Sequence, residues 1–272
     1  MRCKRELQKG GVNLMKIEGK SILITGASSG IGESTAKTLS RKGGKLLLLA
    51  RNKSKLERIA YTISEQGGYA VPFPVDLSDA YAIADVAKKI IVGFGIPDIV
   101  INNAGAGRWL TVEETASTDV EMMMAVPYFA AFNLTREFLP HMRTRGSGQI
   151  INISSVASRI AWPGAASYIS ARHALDGFTK VLRTELHGSG IHVTLAIFGT
   201  INSTYWENNP GSRERLPRID RFNRSLTVEQ VAEAILKGIE NDAREIIRPR
   251  IFRLIFILNA FFPKISERIM RM

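Results

Sequence analysis

The chain has 272 residues, 45% hydrophobic and 23% charged, proportions of a folded globular protein that exclude disordered, collagenous and coiled-coil architectures. A single cysteine, Cys3, excludes an intrachain disulfide and a cysteine-based zinc cluster, and His141, His173, His187 and His192 are spaced unlike any metal motif, so no metal is expected. Thirty-seven Lys and Arg against 25 Asp and Glu leave a net charge of +12, which directs attention to an anionic partner: nucleic acid, a phosphorylated cofactor or a membrane surface.

Residues 1–19 carry Arg2, Lys4, Arg5, Lys9 and Lys16 without the apolar run of a secretory signal. They read as a basic arm, and Met15 offers a second start just before the domain. Residues 21–25 (SILIT) form a short apolar strand entering a glycine cluster, followed by a helical pattern through Ala36 and Leu39 to a Gly43-Gly44 stop. The alternation then repeats: strand 45–50, helix 53–66, strand 69–75, helix 79–93, strand 98–102, helix 119–143, strand 149–154, helix 166–187 and strand 192–197. Strands that read as continuous apolar runs between helices predict a parallel sheet covered on both faces. The expected fold is therefore α/β, a Rossmann-type doubly wound sheet forming a single domain over 20–247. An irregular insertion at 199–226, a closing helix from Thr227 and a basic-apolar extension over 248–272 complete it. No run of 18 apolar residues is present, so no membrane-spanning helix is expected.

The turn Thr25-Gly26-Ala27-Ser28-Ser29-Gly30-Ile31-Gly32 joins the first strand to the first helix. Gly26 permits a tight turn and Gly30 a close backbone approach. The free N–H groups and positive dipole end of the helix favour a pyrophosphate. The second strand ends in Ala50-Arg51, where NAD-binding sheets place an acidic residue on the ribose 2′-hydroxyl. An arginine there suits a 2′-phosphate, with Ser28, Lys53 and Lys55 adding to the site, so NADP(H) is expected over NAD(H).

Five motifs in order, TGASSGIG at 25–32, VDL at 75–77, NNAG at 102–105, NISS at 152–155 and Tyr168 thirteen residues after Ser155, give the chain its resemblance to the short-chain dehydrogenase/reductase family. The resemblance runs from about residue 20 to residue 247. It implies that Ser29 and Ile31 join the glycines at the pyrophosphate, that Asp76 and Leu77 flank the adenine, and that Asn103, Ala104 and Gly105 line the ribose and nicotinamide side. It further implies that Ser155 orients a carbonyl while Tyr168 transfers the proton. The backbone at Thr200 or Ile201 would meet the carboxamide, and the homodimer or homotetramer would form through the helices around 119–143 and 166–187.

The chain departs from the family pattern at three places. Arg172 stands where the motif YxxxK has lysine. One helical turn from Tyr168, it keeps the charge that favours a phenolate and can reach the cofactor ribose, but it cannot readily give up a proton. Pro127 stands where an asparagine usually holds a relay water. Either the Met123 carbonyl freed by the proline takes over that role, or the relay is absent. After the sixth strand Phe198-Gly199 replaces Pro-Gly and Ser203 takes a position often held by threonine. The cover that follows contains Tyr205 and Trp206, then Arg213, Arg215 and Arg218, which read either as a solvated basic loop or as the counterpart of an anionic portion on an apolar ligand.

Residues 251–262 (IFRLIFILNAFF) are a mostly apolar stretch between Arg244, Arg248, Arg250 and Lys264, Arg268, Arg271. Three roles are open to it: an interfacial helix on anionic lipid, packing over the substrate cleft, or a contact with a second subunit. No nucleic-acid motif is present, and the charge gathers at the tail and the cofactor strand. The expected function is an NADP(H)-dependent oxidoreductase interconverting a carbonyl and an alcohol on a small lipophilic substrate, in a cytoplasmic protein that is peripheral to a membrane if the tail binds lipid. A nucleotide-binding sensor or scaffold with weakened chemistry is the alternative.

Overall fold

The computed structural model describes residues 16–105, 107–218, 220 and 224–271; most of the N-terminal arm expected over 1–19 lies outside them. Seven parallel strands form one sheet in the order β3-β2-β1-β4-β5-β6-β9. They are β1 (Ser21–Thr25), β2 (Lys45–Ala50), β3 (Tyr69–Pro74), β4 (Ile99–Asn102), β5 (Gly148–Ser155), β6 (Ile191–Phe198) and β9 (Glu245–Arg248). A two-stranded ladder of β7 (Ile201–Asn202) and β8 (Leu226–Thr227) lies beside the sheet. The chain winds outward from β1 to β3, then crosses to β4 and winds the other way. That reversal leaves a crevice beyond the carboxyl ends of β1 and β4, the place where doubly wound sheets take ligands.

Alternation along the strands separates two cores. Ile22, Ile24, Leu46, Leu48, Ile99 and Ile101 face α1 (Gly30–Ser40), α2 (Lys53–Glu65) and α8 (Val228–Glu240). Leu23, Leu47, Leu49 and Val100 face α3 (Ala80–Phe94), α5 (Ala130–Arg145) and α6 (Ala166–Glu185). Both faces are apolar, so the strands are continuous hydrophobic runs, as parallel sheets require. The closing helix begins where the sequence places it, with Thr227 and Gln230 forming a capping box.

The helix expected over 119–143 is interrupted. α4 (Ser117–Met124) passes into a π-turn over Ala125–Phe129 before α5 begins. Pro127 sits buried inside that turn. It lacks an N–H and cannot continue the α-helical ladder, and the ladder widens so that the Ala130 N–H bonds the Ala125 carbonyl five residues back.

The seventh strand, β9, was not among the expected strands. Its four residues are too short to announce themselves, yet Ile246 and Ile247 complete the sheet edge against β6. Beyond it the extension folds as two helices, α9 (Phe252–Phe261) and α10 (Pro263–Met270), with Pro263 opening the second. Phe252 and Phe256 are buried in a third core cluster with Trp109, Trp162 and Tyr168.

Candidate active site

The glycine turn closes β1 and opens α1. Gly26 and Gly30 have φ of +65° and +54°, conformations that glycine adopts without strain. A Cβ at Gly32 would run into the Gly26 carbonyl and the Asn103 amide, so only glycine lets α1 sit this close to the turn. The Ser29 side chain makes no capping hydrogen bond, which leaves the first amides of α1 open to an anion.

Thr25 fastens the next motif to this turn. Its Oγ1 accepts the N–H groups of Asn103 and Ala104, both at 2.9 Å, and its carbonyl accepts Asn103 Nδ2 at 2.9 Å. Beneath them a buried chain of amides crosses the sheet. Asn102 Nδ2 donates to Asn152 Oδ1 at 2.8 Å, Asn152 Nδ2 to Thr179 Oγ1 at 2.8 Å, and Thr179 in turn to the Leu175 carbonyl. Buried polar groups satisfied in this way fix the register of β4, β5 and α6 relative to one another.

Tyr168 and Arg172 lie one turn apart on α6 and are both 7% exposed. Arg172 Nη1 donates to the Ile153 carbonyl at 3.2 Å, and the guanidinium carbon stands 5.1 Å from the centre of the Tyr168 ring. Its Nη2 would lie 2.7 Å from a Cβ at Gly105, so that glycine makes room for the larger cation. Arg172 Nε is buried with no hydrogen-bond partner. At the end of β5, Ser155 Oγ accepts the Ala157 N–H at 3.3 Å.

One cleft of about 640 Å³ joins these parts. Gly26, Ser28, Ser29, Gly30, Ile31 and Arg51, from the glycine turn and the end of β2, line it, as do Leu77, Asn103, Ala104, Gly105 and Ile201. Ser155, Tyr168 and Arg172 line the same cleft. Asp76 does not join them. Its carboxylate accepts the Ser78 N–H and hydroxyl instead, and these bonds, with the Arg51 charge beside them, hold it below the usual carboxylate range. Arg51 is exposed and has no ion-pair partner among the described residues.

Part of the cleft is walled by aromatic rings. Trp109 stands 5.3 Å from both Trp162 and Tyr168 and 5.6 Å from Trp206, centre to centre. Tyr205 binds this wall together: its hydroxyl accepts Trp109 Nε1 at 3.0 Å and donates to the Gly107 carbonyl at 2.9 Å. Burial pushes its phenol pKa up, with Tyr168 nearby acting in the same direction. Trp109 and Trp162 were not singled out in the sequence. They follow β4 and β5 as Trp206 follows β6, and the loops after strand ends are where such a sheet collects its ligand contacts.

The cover over this wall is tied down at two more points. The Trp109 N–H donates to Ser212 Oγ at 3.1 Å, and Arg215 makes a bidentate pair with Glu114 at 2.6 and 2.8 Å. Arg213, Arg215 and Arg218 are not among the residues lining this cleft, while Arg213 lines a smaller adjoining hollow with Leu216 and Pro217. Met123 and Pro127 do not line the cleft either, which gives the Met123 carbonyl no place in its wall. Of the three roles open to the tail, cleft packing is observed: Phe252 and Met270 line the cleft.

A parallel sheet wound about a glycine turn, with a serine, a tyrosine and a cation gathered at its carboxyl edge, defines a nucleotide-dependent oxidoreductase architecture. The family model described as short chain dehydrogenase matches residues 20–214. The chain belongs to this family of oxidoreductases, and solved structures similar to it include complexes with NADP and NADPH. It is 33% identical over 256 residues to a protein of Acinetobacter baylyi named "Fatty acyl-CoA reductase", covering 93% of this chain and 84% of the relative. A short-chain dehydrogenase from Sphingobium yanoikuyae in complex with NADPH superposes with a TM-score of 0.79 at 26% identity, over 91% of this chain and 95% of that one. One from Burkholderia phymatum in complex with NAD gives 0.83 at 22% identity, over 93% and 97%, and speaks for the fold alone. Among the described residues, no helix is long and apolar enough to cross a membrane, and no cluster of three His, Cys, Asp or Glu could hold a metal.

Proposed function

We propose that the protein interconverts a carbonyl and an alcohol on a small lipophilic substrate with NADP(H). The observation that carries this reading is the continuity of one cleft, from the open α1 amides past Arg51, through Tyr168, to a wall holding all three tryptophans of the chain. The amides and glycines suit a pyrophosphate, Arg51 a 2′-phosphate, and the Arg172 guanidinium a ribose hydroxyl. When bound, the nicotinamide supplies or accepts the hydride.

The residues of this chain do the rest. In the reductive direction the Ser155 hydroxyl donates a hydrogen bond to the substrate carbonyl and orients it, and Tyr168 gives its phenolic proton to the developing alkoxide. Arg172 stabilises the phenolate that remains, as a fixed charge held by the Ile153 carbonyl. It cannot return the proton itself, because a guanidinium does not deprotonate in proteins. The position of Pro127 away from the cleft favours the reading without a side-chain relay, so the phenol recovers its proton from solvent.

The aromatic wall excludes water and selects for apolar bulk, and the name of the Acinetobacter relative points the same way, toward acyl-chain compounds. A homo-oligomer is part of this reading. Met122 in α4, Phe129 in the π-turn, Phe132 in α5 and Val181 in α6 are all exposed, an unpartnered apolar surface on the helices expected to pair. The C-terminal extension adds peripheral contact with an anionic membrane. The sensor reading has less support, since the cleft keeps both Ser155 and Tyr168.

A panel of lipophilic ketones and aldehydes, assayed by consumption of NADPH and NADH, tests the proposal. NADPH-dependent turnover of at least one apolar carbonyl is expected. No turnover with either cofactor, in protein that binds NADPH, would overturn it.

A further inference from the structure

The two helices after β9 are apolar on both sides. Toward the protein, Phe252 and Phe256 enter the aromatic core, Ser266 and Met270 lie on the inner side of α10, and Met270 reaches the cleft. Asn259 Nδ2 donates to the Arg159 carbonyl at 3.0 Å, and the Arg159 guanidinium stands 5.3 Å from the Phe256 ring, so the hairpin is anchored on its inner side. Toward solvent it presents Leu254, Ile257, Leu258, Phe261, Phe262 and Ile265, between 49% and 75% exposed. An isolated soluble domain does not keep so large a contiguous apolar surface without a use for it.

Charge indicates what covers this face. Residues 250–271 carry Arg250, Arg253, Lys264, Arg268 and Arg271 against Glu267 alone as a side-chain acid. A second copy docked face to face would bring these cations together, which disfavours self-association here. An anionic bilayer meets both features, taking the apolar side chains into the acyl boundary and the cations among the headgroups. Helices of 10 and 8 residues are the right length to lie in the interface and too short to cross it.

We propose that the α9–α10 hairpin is at once the floor of the substrate cleft and a foot on an anionic membrane, so that lipophilic substrate enters from the lipid past Phe252 and Met270. This rests on the reading of the cleft as a lipophilic substrate site. It adds a route of entry to the membrane contact: one surface of the hairpin meets lipid while the opposite surface, a single helix thickness away, meets the substrate.

The test uses the full chain and vesicles of phosphatidylcholine with or without about one-third phosphatidylserine. The protein is expected to float with anionic vesicles, not neutral ones, and to be released as salt rises from about 0.05 M to about 0.5 M. The double variant Leu258→Glu, Phe261→Glu changes exposed side chains that touch neither cleft nor core. It should lose flotation and turn over a vesicle-dissolved carbonyl at least about tenfold more slowly, the scale expected when two apolar side chains leave the lipid. Its rate on a short water-soluble carbonyl should stay unchanged. Failure of the wild type to float at low salt, equal loss on both substrates, or a change of oligomer size in the variant would each overturn the proposal. Flotation needs no turnover, so floating protein without reductase activity would remove the reading of the cleft and the entry route that depends on it, and leave only the membrane contact.

Discussion

The Arg172 guanidinium rests against the Tyr168 ring, 5.1 Å from its centre, while one of its amines is held by the Ile153 carbonyl on the neighbouring strand. Position and charge are thereby fixed by the backbone of β5, not by a mobile side chain. The arrangement assigns proton transfer to Tyr168 and leaves Arg172 to supply charge. Tyr168→Phe is therefore expected to lower kcat by about 10²- to 10⁴-fold, the usual contribution of a positioned acid, with NADPH affinity nearly unchanged. Single-turnover kinetics and a fluorescence titration check the two halves, and wild-type turnover in the variant would remove the assignment.

Arg51 governs the choice of cofactor. Replacing it with aspartate removes a charge-assisted pair to the 2′-phosphate and introduces repulsion, so NADPH binding should weaken by more than about 1 kcal/mol while NADH binding holds or improves. Wild-type protein with equal affinity for the two cofactors would sink the idea before any variant is made.

Tyr205 is a brace of the substrate wall. Tyr205→Phe leaves Trp109 Nε1 and the Gly107 carbonyl without the hydroxyl that joins them, at a cost of about 1–3 kcal/mol for a buried group left unpaired. A lowered Tm and a raised KM for apolar substrate are expected, with cofactor affinity unaffected. An unchanged Tm would mean that the two groups find water instead.

The Glu114–Arg215 pair fastens the cover and has a defined pH range. Hydrogen bonding to Arg215, then to the Thr111 N–H, brings the Glu114 pKa from 4.5 down to about 2. Its folded value is depressed, so the favourable contribution is fully present above pH 4.5 and is lost as pH falls toward 2. Glu114→Gln should remove that part of the acid limb and raise proteolytic nicking near residue 213 at neutral pH. Identical acid limbs in variant and wild type would show that the pair contributes nothing measurable, as many exposed pairs do.

Much of this arrangement is legible in the sequence because parallel strands buried on both faces have one physical solution, an apolar run such as Lys45–Ala50, and because Gly26 and Gly32 are dictated by contacts only glycine tolerates. The kink at Pro127 is legible for the same reason, since a missing N–H is a local fact; the π-turn that absorbs it is not, because the widened bond depends on what α6 packs against. β9 escapes notice because four residues carry too little periodicity. The hold of Ser78 on the Asp76 carboxylate two residues back is a local bond that motif position does not reveal. The aromatic wall escapes for the opposite reason: Trp109, Trp162 and Trp206 are distant in sequence and meet only once the sheet has assembled.

That meeting gives the protein a built-in optical reporter. The chain has three tryptophans, and every one of them borders the same cavity. Its entire indole emission thus originates within a few side chains of Tyr168, with no background from elsewhere in the fold. A reduced nicotinamide absorbs where indole emits, so its arrival should quench this emission by energy transfer, whereas an apolar ligand should shift the band by displacing water. Cofactor and substrate occupancy can then be followed separately, in unlabelled protein, before any substrate is known.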